Sequence, residues 1–427
     1  MTLTPKGYRP RLVDGRIDLI LRSFGAVCVE GPKWCGKTWT SLNHSNSAVF
    51  VGDPENNFEN RRLISINTSY ALDGDIPHLI DEWQEIPPIW DAVRFETDKT
   101  SQKGRYILCG SSTPCRKGVM HSGTGRIGTV RMRTMSLFES GNSDGSVSLS
   151  GLFNSRFENT IPRKTSLDHL IGLTVRGGWP GTIGMNVKEA ATAVGRYPVS
   201  VSNNDASRLD GKDRNARKIQ MLMRSLARNE STVVSDKTIR RDMKEHDDED
   251  ISDVTVAEYV SVLDRLFMLD EQPAFNPNLR SSVRVGKSPK RHLADPSISV
   301  AVLELTPKML FDDLRTYGFM FEAMCERDLG IYSEANGGRL FHYRDSNGRE
   351  IDAVVEMPDG RWGAFEIKLG TDGIDEAAEK LLKMKKFIES YSEGRPPSVL
   401  CVISGLSSGA YVREDGVYVV PITALRE

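Results

Sequence analysis

The sequence predicts a mixed α/β chain in three parts: a mostly parallel sheet with helices, a helical middle module, and a second α/β part towards the C-terminus. Three observations predict it. Residues 11–140 alternate short apolar runs with polar, amphipathic stretches, the rhythm of βα units. From Ala216 onward, apolar residues recur at helix spacing (Ile219, Leu222, Met223, Leu226). From Gly318 onward the pattern is helix, three strands, helix and strand, punctuated by the hairpin signals Asn347-Gly348 and Asp359-Gly360. With 427 residues, 39% of them apolar, the chain is long enough to bury two or three separate cores.

Taken in order, the first strands fall at Ala26 to Glu30, Ala48 to Val51, His78 to Ile80 and Arg105 to Gly110. The stretch Gly141 to Gly151 (GNSDGSVSLSG) has little apolar content and reads as a linker or mobile loop, and Asn142 to Arg196 carry no assignable motif. Three helices follow: one from Ala216, one from Asp236 to Glu245 with Ser235 as its N-cap, and one over Thr255 to Leu266. A basic, partly extended stretch after them suggests a winged-helix-like module. The last strands are expected at Leu340 to Tyr343, Ile351 to Met357, Ala364 to Lys368, Ser398 to Ser404 and Gly416 to Val420, with a helix over Asp375 to Tyr391. These elements divide the chain into 1–140, 141–215, 216–295 and 296–427.

Composition narrows the setting. Lysine plus arginine (56) nearly balance aspartate plus glutamate (58), so a nucleic-acid partner would need a local basic face. No apolar run approaches the roughly 20 residues that span a bilayer, and Met1 to Pro10 has no apolar signal core, so the expectation is a soluble cytoplasmic protein with no membrane partner. The six cysteines form no CxxC pair or Cys/His cluster, which favours buried thiols over disulfides or zinc.

The strongest motif is Gly31-Pro32-Lys33-Trp34-Cys35-Gly36-Lys37-Thr38, a GxxxxGK[ST] loop directly after the apolar run Ala26 to Val29. Such a loop closes backbone N–H groups around phosphate oxygens, places a lysine on the β- and γ-phosphates and offers a threonine oxygen to Mg²⁺. The expected cofactors are therefore ATP and Mg²⁺. The segment His78-Leu79-Ile80-Asp81-Glu82 supplies the acids such a site needs: Asp81 for the metal and Glu82 as the base that polarises water. After the strand Tyr106 to Cys109, Ser111 could sense the γ-phosphate, and Arg126, just past Gly123-Thr124-Gly125, could reach it in cis or from a neighbouring subunit of an oligomer.

These segments, with TGRIGTVRMRTMSLFE and the C-terminal EIDAVVE and AFEIKLG, resemble a large family of prokaryotic AAA-type ATPases. Members of that family join a P-loop ATPase to a C-terminal domain of unknown function whose fold resembles the PD-(D/E)xK nucleases. The resemblance gives Lys37, Thr38, Asp81 and Glu82 Walker-type roles, Ser111 the sensor position and Arg126 the place of the family's post-sensor GR. Trp34-Cys35 departs from the small or polar residues commoner in such loops and could narrow the loop or open it to oxidation.

The middle module carries eleven lysines and arginines against seven acids over Asp205 to Glu245, and Leu279 to His292 adds Arg280, Arg284, Lys287, Lys290 and Arg291 with no acid. This is a candidate grip on a DNA backbone, opposed by Asp247-Asp248-Glu249-Asp250; a structural connector or protein-docking face is the alternative. In the tail, Asp352, Glu366 and Lys368 form a D-x(13)-E-x-K set on adjacent hairpin strands, with Glu322 on the preceding helix. Asp352 and Glu366 could hold a divalent cation and Lys368 orient the attacking water; the alternative is a salt-bridged strand face on a nuclease-like scaffold.

The fold class expected is therefore α/β: an N-terminal P-loop NTPase sheet, a winged-helix-like middle and a PD-(D/E)xK nuclease-like C-terminal domain. The expected function is an ATP-binding and ATP-hydrolysing AAA-type protein coupled to nucleic-acid binding or cleavage. The alternative is a nucleotide-switched regulatory or binding protein with a non-catalytic tail.

Overall fold

The computed structural model describes residues 2–113, 120–247, 251–278, 288–345, 347–390 and 395–427. The N-terminal sheet contains β1 (Ala26–Glu30), β2 (Ser47–Phe50), β3 (His78–Asp81), β4 (Tyr106–Gly110) and β5 (Ile127–Arg131) in the order β2-β3-β4-β1-β5, with every pairing parallel. Its central strands are near-continuous apolar runs because helices cover both faces. Along β1, Val27 and Val29 enter one core and Ala26 and Cys28 another. The five cysteines among the described residues are buried and free, as expected; Cys115 lies outside them.

The stretch expected to be a linker is built into the fold. Val147–Ser148 forms β6, Ser148 caps the helix Leu149–Phe153 by accepting from the Gly151 amide, and Val147, Leu149 and Leu152 are buried. Its serines and aspartate serve as local caps and turn bonds: the Ser143 hydroxyl donates to the Leu425 carbonyl at 2.7 Å, and Asp144 accepts from the Ser146 and Arg163 amides. Polar composition here marks turns rather than mobility.

The middle region begins with helices Leu167–Arg176 and Val187–Ser200, followed by a widened turn at Val201–Asp205. The three expected helices are present as Ala216–Arg228, Asp236–Asp247 and Asp253–Arg265. A small sheet interleaves with them: β7 (Thr232–Val233), β8 (Leu269–Gln272) and β9 (Lys290–Leu293), in the order β7-β9-β8, all antiparallel. Of the predicted basic stretch, Arg280, Arg284 and Lys287 lie outside the described residues, as do Asp248, Glu249 and Asp250. The helix Pro296–Val302 packs among the middle helices.

The C-terminal part follows the expected sequence of elements. Helix Leu314–Ala335 precedes β10 (Arg339–Arg344), β11 (Glu350–Glu356) and β12 (Trp362–Lys368); helix Ile374–Glu389 leads to β13 (Val399–Ser404), β14 (Tyr411–Val412), β15 (Tyr418–Pro421) and β16 (Leu425–Arg426). The main sheet runs β10-β11-β12-β13-β15-β14, antiparallel through β12 and parallel from β12 to β15. Gly348 and Gly360 take φ of 77° and 83°, the left-handed conformations that their Asn-Gly and Asp-Gly turns predict. Chain-end strand β16 returns to pair with β6.

Candidate phosphate-binding site

All strands of the N-terminal sheet point the same way, so the loops after β1, β3 and β4 meet at one edge, where ligands of open α/β sheets bind. The loop after β1 reaches the helix Lys37–Asn43 with Gly36 at its N-cap, φ 99°. Gly31, φ 154°, passes so close to the chain after β5 that an added Cβ would lie 2.2 Å from the Met132 carbonyl oxygen. The glycines are therefore required by the path of the loop.

Inside the loop, the Lys37 ammonium is buried and donates to the Pro32 carbonyl at 2.7 Å. The Thr38 hydroxyl lies 3.3 Å from each oxygen of Asp81, whose position at the end of β3 is fixed by the register Asp81↔Cys109. Burial raises the Asp81 carboxyl, and Glu82 raises it further against the opposing pull of Lys37. A buried carboxylate beside a threonine hydroxyl, with hard oxygens only, suits a cation such as Mg²⁺. Glu82 occupies the next position with φ 56°, an unfavourable conformation for a non-glycine residue that often marks functional sites. Its carboxylate accepts from the Ser111 hydroxyl at 3.1 Å and from the Gln84 amide. Lys37, Thr38, Glu82 and Ser111 all line one cavity of about 600 Å³.

The loop's other predicted residues diverge in role. Cys35 is fully buried, with its thiol towards the Met132 carbonyl, so the concern over oxidation does not hold. Trp34 stacks on Trp179 with ring centres 5.5 Å apart and planes at 16°. Lys33 pairs with Asp205 at 2.6 Å. Trp179, Asp205 and the cavity-lining Tyr8 and Arg9 were missed by the sequence reading; the run Gly177-Gly178-Trp179-Pro180-Gly181 was the available signal, a bulky residue amid turn formers.

Two expectations need correction. Arg126 precedes β5 at the sheet edge where Ile127 pairs with Ala26, the far end from the phosphate loop, and its guanidinium pairs with Asp98 at 2.6 Å. Five residues of strand, at ~3.3 Å each, separate it from that loop, so it does not serve the phosphates of its own chain.

The second correction concerns the tail. Asp352 and Glu366 do share a face of the hairpin, but lysines already occupy it: the Lys380 ammonium lies 2.9 Å from the buried Glu366 carboxylate and Lys368 3.6 Å from it. Asp352 accepts from the Ile367 amide at 2.9 Å. Glu322 is held by Lys290 of β9, which also reaches Glu326 at 2.5 Å. Among the described residues, no three acid, histidine or cysteine side chains converge as a metal centre. The metal roles of Asp352 and Glu366 and the catalytic role of Lys368 are thereby withdrawn; the face is a salt-bridged scaffold. The same contacts remove Lys290 from any DNA grip, and Arg291 is likewise spent on Asp236 and Glu271.

Comparison with known proteins agrees with the site. Residues 23–140 match the family model of an AAA domain, and 167–309 and 317–425 match two domains of unknown function, DUF8612 and DUF4143. The uncharacterized protein Rv2008c of Mycobacterium tuberculosis is 24% identical over 358 residues, 83% of this chain and 72% of that protein, as is the uncharacterized protein Mb2031c of Mycobacterium bovis. Among solved structures, the Walker-type ATPase PABY2304 of Pyrococcus abyssi is similar at 11% identity and a TM-score of 0.42, covering 71% of this chain and 98% of that one. The Aeropyrum pernix ORC1 protein in complex with DNA is similar at 14% and 0.29, covering 70% and 94%. Nothing below rests on likenesses that distant. The AAA match, spanning Lys37, Asp81 and Ser111, supports an ATP-binding protein of the P-loop AAA-type ATPase class. No described helix is long and apolar enough to cross a membrane.

Proposed function

We propose that the chain is an ATP-hydrolysing AAA-type switch: nucleotide turnover at the phosphate loop controls what the middle and C-terminal parts bind, and the tail keeps a nuclease-like fold without nuclease chemistry. One observation carries this reading: Thr38 with Asp81, and Glu82 with Ser111, open onto the same cavity as Lys37. Gly31 to Thr38 wrap the phosphates of ATP, with Lys37 supplying charge. Thr38 and Asp81 would hold Mg²⁺, which when bound neutralises charge on the phosphates. Glu82 orients water and accepts its proton, and Ser111 holds the Glu82 carboxylate in place and faces the terminal phosphate.

Phosphate release tests this. Glu82→Gln keeps the shape of the site and removes the base, so it should bind ATP like the parent and turn over about a hundredfold or more slowly. Parental turnover would contradict the role given to Glu82.

A second reading, DNA as the bound partner, is favoured by the middle region's order of helix, β7, helix, helix, β8 and β9, which is that of a winged helix. Binding of duplex DNA that weakens steeply with salt would support it, and salt-independent or absent binding would leave a protein partner.

A further inference from the structure

The tip of the phosphate loop is held by the middle region. Trp34 has φ 69°, a conformation that persists in a bulky residue only where the surroundings over-determine it. Those surroundings are Trp179 and Asp205. Trp179 is fully buried, its indole N–H donates to the Ser297 hydroxyl at 3.0 Å, and the Tyr197 ring meets its edge at 5.1 Å, so it is a fixed platform for Trp34. Gly181 sits so close to Trp34 that a Cβ there would lie 2.6 Å from the indole nitrogen.

Asp205 is placed by an irregularity in its own helix. Pro198 removes a donor near the end of Val187–Ser200, and the chain continues through the widened turn Val201–Asp205. That turn delivers an almost fully buried carboxylate to the Lys33 ammonium.

We propose that Asp205 and Trp179 are positioning residues for the nucleotide: from the middle region they set the conformation of the phosphate loop, so that a movement of that region changes nucleotide affinity. This rests on the ATP-binding reading above. Neither residue need touch ATP. They act through Lys33 and Trp34, whose neighbours Lys37 and Thr38 face the cavity.

The test is the full chain titrated with a fluorescent ATP analogue and Mg²⁺, together with steady-state turnover, for Asp205→Asn, Lys33→Met and the double variant. Each single change breaks the same ion pair with a near-isosteric side chain. Both should therefore raise Kd and KM about five- to tenfold with kcat within about twofold, and the double should be no worse than either single. If Lys33 instead served the phosphates directly, Lys33→Met would weaken binding while Asp205→Asn, freeing the ammonium, would tighten it; that divergence overturns the proposal. Unchanged affinity in both singles, or a fall in kcat at unchanged KM, overturns it as well. A parent chain that binds no nucleotide refutes the ATPase reading itself, and the positioning roles with it.

Discussion

Glu366 shows how much of a single side chain's behaviour lies beyond the motif that contains it. Its carboxyl is fully buried, and that burial together with the neighbouring Asp352 raises it to about 7 against the opposing pull of Lys380 and Lys368. The folded state thus holds a proton that the unfolded chain, near 4.5, gives up. This contribution to stability is fully present below about pH 4.5 and is lost as pH rises through about 7, a loss on the order of 2–3 kcal/mol. Glu366→Gln keeps the shape and cannot ionise, so the parent's melting temperature should fall relative to that of the variant between pH 5 and 8. Parallel pH profiles for the two would show that the carboxyl is not perturbed. The D…ExK spacing was visible in the sequence, but Lys380, fourteen residues downstream, and Lys290, from another part of the chain, were not.

At the scale of elements, legibility followed the strength of the local pattern. The apolar runs of β1, β3 and β4 and the glycine turns after β10 and β11 were readable because burial on both faces, and φ above zero, each demand few residue types. Segment 141–153 was misread because a two-residue strand and a five-residue helix carry no periodicity, and pairing with β16 from the far end of the chain is invisible to any local window. Leu149 is the direct test of that correction. It is fully buried in the C-terminal core, so Leu149→Ala should cost about 2–5 kcal/mol in chemical denaturation, whereas a residue of a mobile linker would cost almost nothing. The position of Arg126 was misjudged for a related reason: proximity in sequence to a glycine loop says nothing about which end of a parallel strand that loop occupies.

Across the whole molecule, the three parts are joined by partly and fully buried ion pairs rather than by flexible tethers. Arg133, just past β5, reaches Asp270 of β8 and, at 2.7 Å, Glu334 at the end of helix Leu314–Ala335, so one guanidinium binds the N-terminal, middle and C-terminal parts together. Arg327 does the same between Asp295 and Asp328. Arg133 and the loop contacts at Lys33 and Trp34 give the phosphate site two routes to the rest of the chain, one from each side of the sheet edge. A nucleotide-dependent change at the loop would thus be felt by the middle region through packed contacts, as a switch requires. All of this depends on nucleotide entering the cavity above Lys37. Calorimetric titration of the full chain with ATP and Mg²⁺, beside Lys37→Ala, tests that most directly. The parent should bind, and Lys37→Ala, which removes charge from the phosphates without disturbing a core, should show no measurable binding while keeping the parent's circular dichroism. Equal affinity in the two chains would contradict the phosphate-site assignment.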